Sequence, residues 1–121
     1  PNYNSDNLYL PSNNFYVFYT DLIDLSKYNS VIIKKTNIYV GRCGFDQYPM
    51  NVNAEGQYYY PTWELISDNV YVGDISTVDR DDFHYQMTSW GGTNSGNIYF
   101  IALSSKTVDE IKEDISFLDN Y

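Results

Sequence analysis

Residues 98–118, IYFIALSSKTVDEIKEDISFL, change period midway, and that change decides the fold class. Ile98 to Leu103 form an apolar run suited to a strand. Thr107 followed three residues later by Glu110 is a capping-box signature, which marks the start of a helix. Beyond it Val108, Ile111, Ile115 and Leu118 recur at helical spacing, with Asp109, Glu110, Glu113 and Asp114 on the other side. The pattern predicts a C-terminal amphipathic helix, reaching Leu118, that packs on a sheet.

Upstream of this stretch the chain reads as strands and turns. Residues 15–20 (FYVFYT), 58–60 (YYY), 63–66 (WELI), 70–72 (VYV) and 83–88 (FHYQMT) are strand-like. Residues 31–35 and 37–40 predict either one long strand or a hairpin turning through 35–37. Residues 21–28 (DLIDLSKY) predict one or two helical turns or a polar connection. Residues 41–57 read as a long loop, of a length that tends to be functional or to hide a short element. Pro61 between aromatic runs predicts an edge or a bulge. The glycine-rich 89–97 (SWGGTNSGN) predicts a hairpin loop. Residues 1–14, rich in Asn, Ser and Pro, read as an irregular N-terminal arm, and 15–121 as a single domain. The expected class is therefore α+β, a mainly antiparallel sheet of six to seven short strands with one C-terminal helix; a β-sandwich or barrel with a terminal helix is the alternative.

Composition narrows the function. Sixteen Asp and Glu stand against seven Lys and Arg, a formal charge of −9, yet fourteen of the 121 residues are Tyr. Disordered acidic chains are poor in aromatics, whereas Tyr is enriched at interfaces. The negative charge argues against nucleic acid and anionic membranes as direct partners and favours a basic protein. The cations are uneven: Lys27, Lys34, Lys35 and Arg42 lie close together, and beyond Cys43 only Arg80, Lys106 and Lys112 offset the acids. Lysines in that basic stretch read as guards of strand edges. A lone cysteine excludes an intrachain disulfide or a Cys-cluster zinc site. No apolar run approaches a membrane span, and the start, Pro1, carries no signal-peptide pattern. With no Asn-x-Ser/Thr sequon present, the expected compartment is the cytoplasm (of a host cell, for a viral protein), with secretion as the alternative.

Candidate chemistry is sparse. The one histidine, His84, would need a second titrating group and a phosphate or oxyanion donor, which Glu64 and Arg80 could supply. Asp74, Asp79, Asp81 and Asp82 supply hard oxygen atoms but match no EF-hand spacing, so neither a metal nor a cofactor is expected. Cys43 has Arg42 beside it, which would lower a thiol pKa, yet a small buried hydrophobe is the simpler role. Tyr58, Tyr60, Trp63 and Trp90 suit stacking or anchoring, although on a strand Tyr58 and Tyr60 share one face and Tyr59 the other.

The pieces Tyr58-Tyr59, Val70-Tyr71-x-Gly73, Asp79-Arg80 and Ser95-Gly96-Asn97 before an aromatic strand resemble the guanyl-specific microbial ribonucleases of the fungal type, which are small, acidic, tyrosine-rich α+β proteins. The resemblance implies a phosphate-binding role for Arg80 and a general base near Glu64. Ser89-Trp90 stand where that family has its histidine, so His84 would have to act from another strand; the family's disulfides and early helix are missing as well.

Three readings result. The first is a small acidic, tyrosine-rich protein that inhibits a partner by surface occlusion, of the phage, viral or immunity type. In it Asp74, Asp79, Asp81, Asp82 and the terminal helix meet a basic surface, and Tyr58, Tyr60, Trp63 and Trp90 anchor. The second is a carbohydrate-binding module with the same aromatics as platforms. The third is a ribonuclease-like enzyme using Glu64, Arg80 and His84. Edge strands also permit a homodimer.

Overall fold

Val31, Ile32 and Ile33 are buried in succession, so the strand that carries them needs cover on both faces. The computed structural model describes residues 5–9, 18–37, 39–48, 58–78, 84–89, 97–116 and 118. Its elements run β1 (Ser5–Tyr9), β2 (Phe18–Ile23), β3 (Ser30–Thr36), β4 (Cys43–Tyr48), β5 (Tyr58–Tyr59), β6 (Trp63–Ser67), β7 (Val70–Asp74), β8 (His84–Ser89), β9 (Asn97–Ser104) and α1 (Val108–Glu113). The described pairings are antiparallel, and they form a five-stranded sheet in the order β1-β9-β3-β7-β6 and a four-stranded sheet in the order β2-β8-β4-β5. The class is α+β and dominated by antiparallel sheet.

β3 lies at the centre of the larger sheet, between β9 and β7. On one face Val31 and Ile33 join Ile101 and Leu103 of β9, Cys43 and Phe45 of β4, Met87 of β8 and Ile23 of β2 in a core shared by the two sheets. On the other face Ile32, Val70, Val72, Phe100 and Ala102 pack with Ile111 of α1. Each large apolar side chain buried this way contributes roughly 1.5–3 kcal/mol. A bulge keeps the pattern consistent: Lys34 pairs with Phe100 but Lys35 with Ile98, so Tyr99 is the extra residue. Simple alternation would put Ile98 on the helix side with Phe100; past the bulge it enters the core between the sheets.

Several expectations are corrected. Residues 5–9 of the expected irregular arm are β1, paired with β9. The strand expected at 15–20 is described from Phe18 and runs on to Ile23, and the following residues make only a 3-10 turn, Leu25–Lys27, whose start is capped by the Asp24 carboxylate accepting from the Ser26 N–H at 2.9 Å. The run 31–40 is neither one strand nor a hairpin. Asn37 takes φ 59° just past the end of β3, and Val40–Arg42 form a second 3-10 turn. Within the expected loop 41–57, β4 is a well-paired strand of the smaller sheet; its Cys43, Gly44 and Phe45 are buried although its polar composition hid it. These additions bring the strands to nine among the described residues, above the six to seven expected. β8 and β9 belong to different sheets, so the connection through 90–96 is not a hairpin. Lys34 and Lys35 sit on a central strand rather than an edge, their ammonium groups 5.8 Å from the Tyr99 ring and 4.9 Å from the Tyr71 ring. Partial burial pushes the Lys35 ammonium below its ordinary pKa.

Pro61 lies between two edge strands, β5 and β6, in keeping with the expected edge position, but outside both. It sits where the chain passes from β5 in the smaller sheet to β6 in the larger one, and two glycines make room for that passage. A Cβ on Gly44 would lie 2.7 Å from the Tyr60 ring, and one on Gly73 would lie 2.6 Å from the Pro61 Cβ. Gly73→Ala therefore forces the crossing away from the sheet and is expected to destabilise the protein by about 1–3 kcal/mol, read as a lower midpoint in thermal or urea unfolding.

Candidate functional site

The segment between β9 and α1 is fixed by polar contacts before the helix begins. Asn29 donates through Nδ2 to the Ser105 carbonyl at 2.7 Å, Ser30 Oγ donates to the Lys106 carbonyl at 2.6 Å, and the Lys106 N–H donates to Ser104 Oγ at 3.1 Å. Thr107 then caps α1 with the full reciprocal box: the Glu110 N–H donates to Thr107 Oγ1 at 3.2 Å, and the Thr107 N–H donates to Glu110 Oε1 at 3.0 Å. Those bonds hold the Glu110 carboxyl below its ordinary pKa, the backbone bond being the larger cause. The helix is shorter than its periodicity suggested. Asp114 is extended, its carboxylate accepts from the Ser116 N–H at 3.0 Å, and the helix stops at Glu113. Hydrogen bonding from the Ser116 side chain, and after it from the Ser116 backbone, lowers the Asp114 pKa. Ile115 is left exposed, while Leu118 still packs beneath α1.

Docked this way, the first turn of α1 faces the end of the β6–β7 hairpin across a cleft of about 290 Å³. Glu64, Asp74 and Asp109 line it, with Asn29, Thr62 and Ser76 among their polar neighbours. Lys112 reaches over to Glu64 at 2.7 Å, which raises the lysine pKa; both side chains remain substantially exposed, so the pair orients α1 more than it stabilises it. Asp74 Oδ1 accepts from the N–H and the hydroxyl of Ser76 at 2.8 and 2.6 Å, which closes the turn after β7. Tyr59 donates to the Asp74 carbonyl at 3.1 Å and lies 2.9 Å from Thr77 Oγ1, tying this turn to the smaller sheet. The carboxylates are spread around the cleft: among the described residues no group of three or more His, Cys, Asp or Glu could hold a metal ion.

The aromatic candidates separate. Trp63 is half-buried against the core between the sheets and donates through Nε1 to the Cys43 carbonyl at 3.1 Å, so its ring is a packing element rather than an open platform. Tyr59 is half-buried and Tyr60 is 48% exposed, its ring lying over Gly44. Tyr58 is in β5, and its side chain lies outside the described residues, as do Asp79, Arg80, Asp81, Asp82 and Trp90 altogether. Sequence reasoning did not single out Tyr39 and Tyr99, which are exposed; the bulge that turns Tyr99 outward is set by pairing with β3 and leaves no local signal. The acids near Asp74 and those of the terminal helix were expected to share one contact, but that Asp109 in particular lines a cleft with Asp74 follows only from the docking of α1.

For the enzymatic candidates, Glu64 pairs in register with Val72, on the face of the larger sheet that α1 covers. His84 begins β8 of the smaller sheet, on the opposite side of that larger sheet. Cys43 is fully buried in the shared core. No described helix is long and apolar enough to cross a membrane.

The depressed Glu110 pKa gives a signed pH dependence. The charge on Glu110 contributes stability above the ordinary value of 4.5, and that contribution is lost as pH falls through the lower folded value. The Tm gap between the wild type and Glu110→Gln should therefore be constant near neutrality and close in acid. Thr107→Ala should cost about 0.5–2 kcal/mol in denaturant unfolding. Comparison with known protein-family models, characterised proteins and solved structures finds no match to this chain.

Proposed function

We propose that this chain is a small acidic protein-binding domain that inhibits a partner by occluding a basic surface, with the cleft between α1 and the β6–β7 hairpin at the centre of the contact. One observation carries the reading. Asp74 and Asp109, far apart in the chain, line the same cleft with Glu64, and Lys112 is the one cation paired there among the described residues. Around them Glu110 and Glu113 of α1, and Asp114 just past it, are exposed, in a chain of formal charge −9.

A surface of this kind attracts Lys and Arg at a distance and selects against acidic partners, so charge sets the association rate and specificity. The affinity then comes from desolvated contacts, for which Tyr60, Tyr99 and Tyr39 are exposed aromatics among the described residues. Asp79, Asp81 and Asp82 follow Asp74 closely in the chain and extend the proposed acidic contact. The engagement of Trp63 with the core speaks for this reading over a sugar-stacking module.

Affinity capture from cell extract at low and moderate salt, with the wild type beside Asp74→Asn/Asp109→Asn, tests the proposal. Asn at position 74 keeps an acceptor for Ser76, so the turn survives the loss of charge. The expected result is one stoichiometric basic protein, released by rising salt, whose association rate with the double variant falls on the order of tenfold. Equal capture by the wild type and the variant would refute the proposal.

A further inference from the structure

Resting on the basic-partner reading, we propose that the outer edge of β6 receives an extended segment of the partner in which basic and apolar residues alternate. β6 is the last strand of the larger sheet among the described residues. An extended peptide adds to such an edge through main-chain hydrogen bonds, and its successive side chains fall on opposite faces of the sheet.

The two faces beside this edge differ in chemistry. Glu64 is in register with Val72, on the α1 side, where Asp74 and Asp109 line the cleft and Lys112 is the one paired cation among the described residues. Trp63 and Leu65 are in register with Gly73 and Tyr71, on the other side. There Trp63 and Tyr71 pack against the core between the sheets, and Leu65 is 58% exposed. A strand laid along residues 63–65 would present every second side chain to carboxylates and the others to Leu65 and its aromatic neighbours. Beyond Leu65 a register shift bends β6, which limits the flat stretch available for pairing. Lysine or arginine alternating with valine, isoleucine or leucine matches both faces; an all-basic segment would set charge against Leu65.

The test measures binding of fluorescent, end-capped peptides to the full chain. The probes are a peptide alternating lysine and valine, an isomer with lysines and valines in separate blocks, and two forms of the alternating peptide N-methylated at every lysine or at every valine. In a strand the N–H groups of alternate residues point to opposite edges, so only one methylation pattern blocks pairing with β6. The alternating peptide is expected to bind at least about tenfold tighter than its block isomer, one N-methylated form to lose at least about tenfold and the other to bind unchanged. Leu65→Asp, a change at an exposed position, should erase the preference for alternation. Equal binding of the isomers, or of both methylated forms, overturns the β6 edge and leaves the acidic face standing. No binding of any lysine peptide at low salt overturns both.

Discussion

Burial of Val31, Ile32 and Ile33 in one central strand imposes the arrangement of the molecule. Alternation along a strand sends Ile32 to one face and its neighbours to the other, so the larger sheet must be covered twice. The four-stranded sheet covers one face with Phe45, Met87 and Ile23, and α1 covers the other with Ile111. A helix as short as α1 has little stability of its own and is held by the face it buries. Its position, and with it the cleft that Asp74 and Asp109 line, follows from the need to cover Ile32, Val72 and Phe100.

The passage between the sheets is the second constraint. Tyr60 and Pro61 cross from β5 to β6, and Gly44 and Gly73, one in each sheet, let them approach closely. Trp63 follows at once, closing the crossing through its bond to Cys43. The aromatic cluster that reads in sequence as a set of anchors is thus divided by this geometry: Trp63 and Tyr59 serve the joint between the sheets, and Tyr60 stays at the surface.

What could be read without the structure was local. The capping box of Thr107 and Glu110, the apolar runs at 31–33 and 98–103 and the class α+β follow from spacing and side-chain type. The strands that were missed depend on partners distant in the chain. β4 is polar and glycine-containing and becomes a strand because β8 and β5 pair with it. β1 comes from the Asn-rich stretch 1–14 and is held by β9. The helical periodicity continued to Leu118, but Asp114 takes its neighbour's N–H and ends the helix. The site shows the same division: the acids were visible as residues, whereas their meeting depends on where α1 docks.

A charged cleft beside a helix that also closes a core links binding to architecture. The acids on α1 can be exposed because Ile111 and Val108 anchor its other side, and Lys112 holds the helix to the hairpin that carries Asp74. An NMR titration of the labelled protein with poly-lysine tests this account most directly, since it reads every backbone amide at once. The account predicts shifts concentrated at Thr62, Glu64, Asp74, Ser76 and Asp109, fading as salt is added. Shifts centred on β2 and β8 of the smaller sheet, or none at all, would contradict it.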